Sequence, residues 1–301
     1  MASAREVKLR IKSVKNIAQV TRALQAVSAS RVRKAMDNVL ASRPFANMAW
    51  RVMQHVSDQP GRDQLHPLLI DRPEVRSTLV VVISSDRGLA GPYNTNILKY
   101  ALDKFDEYQC PVRYVTIGAK AVELLARLDK EIYADFSDLP AEPGFGDISP
   151  IGRLLVDEFM ALDTETDEVY LVYTDFINMI RQEPTHKRLL PISVDKEEDL
   201  VRPDLVTQTG PRQTYYFEPN QSEILEEIVP RFTALQVYQA VLEANASEHA
   251  ARMVAMKNAT DNASDLADVL QLQYNNVRQQ TITNEMLDIA GGAEALAKSG
   301  K

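Results

Sequence analysis

Glycine, serine and aspartate gather in one short run, Ser85-Asp86-Arg87-Gly88-Leu89-Ala90-Gly91, directly after the apolar run Thr78 to Ser84. A glycine loop following a strand is where α/β proteins often hold ligands. This one lacks the lysine and the hydroxyl of a phosphate loop, and no GxxxxGK[ST] occurs in the chain. The expected role is therefore a structural turn. Gly144-Phe145-Gly146 falls short of a dinucleotide fingerprint and follows a proline-containing loop rather than a strand. The four histidines, at positions 55, 66, 186 and 249, form no HExxH pair, and no Gly-x-Ser-x-Gly elbow exists. The single cysteine, Cys110, cannot form an internal disulfide or a Cys-rich zinc site. No constellation capable of chemistry emerges, so no catalytic, cofactor-binding or metal-binding residue is expected.

The elements around these residues are more informative. Ala4 to Ser57 reads as one long helix, with apolar residues at Val7, Ile11, Val14, Ile17, Val20, Leu24, Val27, Val32, Met36 and Val39. These are steps of three and four, with one step of five that marks a slip in register. At 1.5 Å per residue the rod is about 80 Å long. Pro44 predicts a kink or break near Ser42 and Arg43. A second rod begins at a capping box, Asn220 with Glu223, and its stripe runs through Phe232, Leu242, His249, Met256, Leu270, Tyr274 and Val277. It spans about 115 Å, with Pro230 in its early turns. Rods of this length need a partner, and the two can pair as an antiparallel coiled coil. Eight alanines between Ala244 and Ala267 bury little apolar area. The second rod outruns the first, and its apolar tip (Ile282, Met286, Leu287, Ile289, Leu296) implies a surrounding protein sleeve.

Between the rods, strand-like runs at Thr78 to Ser84, Val112 to Ile117, Val169 to Thr174, Leu189 to Val194 and Thr214 to Phe217 alternate with helix-like stretches. The expected organisation is a coiled-coil helix at 1–57, a linker at 58–74, a small, mainly parallel α/β domain at 75–219 and a second coiled-coil helix at 220–301. Charge is uneven. Residues 1–43 carry ten Lys/Arg against Glu6 and Asp37, while the whole chain is −8. Such an arm fits an acidic partner; without interleaved aromatics it does not fit single-stranded nucleic acid. No apolar run is long enough to span a membrane, and the basic start lacks the apolar core of a signal peptide.

Three stretches, Lys8 to Ala46, Ser85 to Asn94 (SDRGLAGPYN) and Val237 to Leu296, together resemble the gamma subunit of bacterial F-type ATP synthase. The resemblance implies a non-catalytic rotor shaft inside a hexamer of alpha and beta subunits. Its α/β domain, Rossmann-like, would contact the epsilon subunit and the membrane c-ring, with ATP made or hydrolysed on beta. Arg278, Gln279 and Thr283 match a motif that contacts a loop of beta, and Arg31, Arg33 and Lys34 match a stretch passing the acidic lever of beta. Ala90 stands where the family commonly has cysteine, and Gln19 and Leu24 stand where Lys and Met are common. The implied location is peripheral, on the cytoplasmic face of a bacterial membrane, with no cofactor and no nucleic acid. The alternatives are a small-molecule-binding α/β protein with helical arms and a static coiled-coil tether.

Overall fold

The computed structural model describes residues 4–57, 66–108, 110–161, 166–192 and 221–299. Its elements are α1 (Ala4–Ser57), a 3-10 turn (Pro67–Leu69), β1 (Ser77–Ile83), α2 (Tyr93–Phe105), β2 (Val112–Ile117) and α3 (Ala119–Arg127). Then follow β3 (Ile132–Phe136), α4 (Phe145–Met160), β4 (Thr166–Phe176), β5 (Gln182–Leu190) and α5 (Gln221–Ser299). By internal contacts the chain divides into two compact units. One is Met1–Val27 with Met253–Lys301 and the other is Ser28–Arg252, so α1 and α5 contribute to both.

The larger unit is built on a five-stranded sheet in the order β3-β2-β1-β4-β5. β1 lies parallel to β2 and β4, with Val81 between Val115 and Leu171, and β3 lies parallel to β2. Only β5 is antiparallel, on β4. β1 is apolar from Leu79 to Ile83 because it is covered on both faces. On one face Val80 and Val82 pack with Ile97, Phe105, Ala121 and Leu125 of α2 and α3. On the other, Leu79, Val81 and Ile83 share a core with Ile151 and Phe159 of α4, Phe232 and Val237 of α5, and Trp50 of α1. Trp50 stacks on Phe232 with ring centroids 5.8 Å apart.

Residues 232–250 of α5 are buried on nearly every side, including Gln236, Gln239, Glu243 and Ser247. A helix buried all round belongs to a core. Its crossing with α4 is close: a Cβ on Gly152 would stand 2.5 Å from the Cα of Ala234. Glu243 is tied to the sheet through the Phe176 amide, which donates to its Oε2 at 3.3 Å.

Several expectations change here. The helix runs through Pro44 without a break, and likewise through Pro230 in α5. β3 and α4 are additional elements, and Gly144-Phe145-Gly146 is the start of α4, where the Asp147 carboxylate accepts from the Gly144 amide at 2.8 Å. Where a strand is expected at Leu189 to Val194, the described strand is Gln182–Leu190, ending where Pro191 follows; Ser193 and Val194 lie outside the described residues. The second half of the expected linker is anchored: Leu68 is fully buried and its carbonyl accepts from the Ile192 amide at 2.8 Å. The run Thr214 to Phe217, and Asn220 of the expected capping box, lie outside the described residues.

The smaller unit pairs the start of α1 with the later part of α5. Val7, Ile11 and Thr21 are buried on α1, with Val14 and Ala18 half-buried between them and Gln25 half-buried one turn on. They meet Met256, Thr260, Ala263 and Ala267, followed by half-buried Leu270, Tyr274 and Val277. Both series step by three and four, the signature of a coiled-coil seam. The expected stripe is wrong in its middle. Ile17, Val20 and Val27 are 51%, 59% and 50% exposed, while Ala18, Thr21 and Ser28 take the inward positions. The five-residue slip disappears with them, because in the larger unit Ser28 precedes Val32 by four, and Ala35, Val39 and Ser42 follow. Small inward side chains let two backbones approach, and the bulky ones are left facing out.

Candidate partner-binding surfaces

The glycine loop after β1 turns its polar groups onto its own surroundings. Asp86 Oδ1 accepts from the Ala119 amide at 3.0 Å, capping α3, and from the Asp138 amide at 3.4 Å. Ser84 Oγ accepts from the Ala121 amide at 2.9 Å, and Asn94 Oδ1 accepts from the Ser85 amide at 3.0 Å. At the start of α3, Gly118 has φ +99°, and a Cβ there would meet the Ser84 carbonyl oxygen at 2.4 Å. Leu89 and Gly91 also adopt positive φ. The loop is an arrangement of caps and tight turns, as the sequence suggests.

What the sequence reading missed is the clamp on this loop. From α5, Arg252 donates to the carbonyls of Arg87 (3.4 Å) and Gly88 (3.3 Å) and pairs with Glu248 at 2.5 Å. The Glu248/Arg252 spacing of four was the available signal. His249 sits beside it, with Nδ1 3.2 Å from the Arg252 guanidinium. Burial, reinforced by the charges of Arg252 and Arg31, pushes His249 down to about 4. Burial raises Glu248, and outweighs the attraction of Arg252.

The two shifts oppose each other in acid. A histidine depressed in the fold leaves stability complete above its unfolded value near 6.5 and reduces it as pH falls towards 4, by about 3 kcal/mol for a shift of this size. Glu248 takes up its proton earlier in the folded chain and offsets part of that loss. His249→Gln should therefore flatten the decline of the urea midpoint between pH 7.5 and 5; a decline equal to that of the native chain would show that other groups cause it.

A second hidden network joins three strands to α4. Glu158, buried, accepts from Arg113 Nη2 at 2.6 Å, Tyr133 Oη at 2.6 Å and Thr166 Oγ1 at 3.2 Å. Burial opposes its charge, but these hydrogen bonds and the Arg113 charge hold it below the usual carboxylate range. The network is structural, with every member facing another.

Surfaces offered outward are of two kinds. On α1 in the larger unit, Arg31, Arg33 and Lys34 are exposed around buried Val32. Lys34 pairs with Glu142 at 2.6 Å, with both side chains more than half exposed, so the pair is weak and exchangeable. On α5 in the smaller unit, Arg278, Gln279 and Thr283 are exposed, and Thr283 Oγ1 bonds back to the Gln279 carbonyl at 2.9 Å. The same unit exposes Leu9, Ile17, Val20, Leu266, Val269 and Leu272, then Ile282, Met286, Leu287 and Ile289. So many bulky apolar side chains on a two-helix unit mark a protein-binding surface. Among the described residues no cluster of metal-ligating side chains occurs, and no helix is long and apolar enough to cross a membrane.

An α/β domain threaded by a long helix, with apolar and basic helical surfaces turned outward, has the build of a subunit that works against other proteins. The family model described as "ATP synthase" matches residues 3–296. The ATP synthase gamma chain of Roseiflexus sp. (strain RS-1) is 43% identical across 99% of this chain and all of its own length. That of Dehalococcoides mccartyi (strain ATCC BAA-2266 / KCTC 15142 / 195) is 40% identical with the same coverage. In fold the chain is similar to a chain in the Euglena gracilis mitochondrial ATP synthase (OSCP/F1/c-ring), with TM-score 0.67, 18% identity, and 99% and 96% of the two chains covered. A chain of the Tetrahymena thermophila central stalk and c-ring gives TM-score 0.61 at 23% identity, covering 80% of this chain and 99% of its own. The chain belongs to the ATP synthase gamma-chain family, a non-catalytic subunit of that enzyme.

Proposed function

We propose that this chain is the central shaft of a rotary ATP synthase, carrying rotation of a membrane ring to catalytic sites on other subunits. The observation that carries the reading is the packing in the middle of the smaller unit, where Ala18, Thr21, Thr260, Ala263 and Ala267 line the seam while Ile17, Val20, Leu266 and Val269 are exposed. A helix pair built that way is incomplete without a sleeve, and a hexamer of alternating alpha and beta subunits supplies one. Turning an asymmetric shaft in the sleeve changes which nucleotide-binding state of each beta subunit is favoured.

Within this reading Arg278, Gln279 and Thr283 meet a loop of beta, and Arg31, Arg33 and Lys34 pass its acidic lever. The exposed, exchangeable Lys34–Glu142 pair suits a contact that must be made and released. The α/β domain meets the epsilon subunit and the c-ring, and the assembly sits peripherally on the cytoplasmic face of the membrane. The domain plan is a helix at 1–57, a connector at 58–74, the α/β domain at 75–219 and the second helix at 220–301.

Reconstitution tests it. Purified alpha and beta subunits from the same source should assemble with this chain into a complex that hydrolyses ATP. Failure to co-purify under conditions where alpha and beta associate would sink the reading. A static tether would assemble too, and it separates from a shaft in the rotation measurement that closes the Discussion.

A further inference from the structure

In the smaller unit the seam between α1 and α5 is floored by alanine. Ala18, Ala263 and Ala267, with Ser264 beside them, leave an open groove of about 530 Å³, rimmed by Lys15, Gln19, Arg22 and Asp268. An alanine floor discriminates poorly between alignments, because sliding one helix by a turn sets alanine against similar small groups. One contact in the seam does discriminate. Thr21 Oγ1 and Thr260 Oγ1 lie 2.6 Å apart, both buried. One turn back from Thr260 on α5 is Met256 and three residues on is Ala263, neither with a hydroxyl, while half-buried Ser264 has its own hydroxyl committed to the Thr260 carbonyl at 3.0 Å. A single polar pair in an apolar seam fixes register.

The same hydroxyls have second partners on their own helices. Thr21 Oγ1 reaches the Ile17 carbonyl at 3.0 Å and the Ala18 carbonyl at 3.2 Å, and Thr260 Oγ1 reaches the Met256 carbonyl at 2.8 Å. Each hydroxyl has one proton, so one threonine donates across the seam while the other donates back. When the helices part, both protons return to own-helix carbonyls and neither is left unpaired, which removes the usual penalty for breaking a buried hydrogen bond.

We propose that the Thr21–Thr260 pair is the register clip of the two-helix unit: it sets the axial alignment of α1 and α5 and can open and re-form without orphaning a buried proton. Counting outward from this contact, Ala4 aligns with Val277, the last half-buried position on α5. The clip thereby sets how far Arg278, Gln279 and Thr283 project past the first described turn of α1. It is a property of the helix pair and does not rest on the shaft reading.

The test uses the full chain carrying cysteine pairs. Ala18→Cys with Ala263→Cys reports the observed alignment, and Ala18→Cys with Ala259→Cys reports a slip of one turn. After mild oxidation each disulfide is quantified by peptide mass, which also separates any product of Cys110. With both threonines present the 18–263 bridge should dominate. In Thr21→Val/Thr260→Val that preference should fall by roughly twofold, less than one whole net hydrogen bond gives, because a slipped hydroxyl keeps the weaker bond to its own helix. The thermal midpoint should hold or rise, since valine buries more apolar surface. Thr21→Ser/Thr260→Ser, which keeps both hydroxyls, should restore the preference. An undiminished preference in the valine pair would overturn the clip, and so would a serine pair that slips as freely as the valine pair.

Discussion

Gly152→Ala is expected to destabilise the larger unit by about 3 kcal/mol, at the upper end of what forcing one methyl into a packed core costs. The added Cβ would stand 2.5 Å from the Cα and 2.6 Å from the Cβ of Ala234. These are backbone and near-backbone atoms of α5, so no side-chain rotation relieves the clash. The loss should appear even though alanine is the better helix former by about 1 kcal/mol. Gly152→Val should prevent recovery of folded chain. Gly146 on the same helix has no neighbour within 4 Å of its would-be Cβ, so Gly146→Ala should leave the urea midpoint unchanged or raised. Equal midpoints for Gly152→Ala and the native chain would mean that α4 and α5 do not cross at this notch.

Deleting residues 278–301 should uncouple the assembled complex while leaving the isolated chain as stable as before. The described side chains from Arg278 to Gly291 are all exposed, so the deletion removes no buried contact among them. In the complex it removes Arg278, Gln279, Thr283 and the apolar tip together. ATP hydrolysis should persist, and proton pumping per ATP hydrolysed should fall by about tenfold or more, the scale of a typical coupling energy between sites. A deletion confined to residues 292–301 should have a smaller effect. Pumping that survives the longer deletion intact would remove the bearing role assigned to this stretch. A lowered thermal midpoint of the isolated chain would instead make it part of the folded core.

The strands with strong signals were legible from the residues alone. Thr78 to Ser84 could only be a strand covered on both faces, and it became the centre of the sheet. The long helices were legible from their spacing. Other features were not. β3, Ile132–Phe136, is a half-buried edge strand whose apolar run is broken by Asp135, and β5 is broken likewise by Pro184, His186 and Lys187. α4 opens on glycines and carries Pro150, which read as loop. The inner face of α1 was misassigned because bulk was taken as the mark of burial. In this helix pair Ile17 and Val20 point out while Ala18 and Thr21 point in. The Arg252 clamp and the Glu158 network depend on long-range meetings that one-dimensional spacing does not reveal.

Rotation itself is the most direct test of the shaft reading. The alpha–beta hexamer would be fixed to a surface and a bead tied to the chain through Lys104→Cys, an exposed position on α2. During ATP hydrolysis the bead should turn continuously in one direction and stop when ATP is exhausted. A bead that stays fixed, or only fluctuates, while the same complexes hydrolyse ATP would contradict the account and leave the chain a static tether.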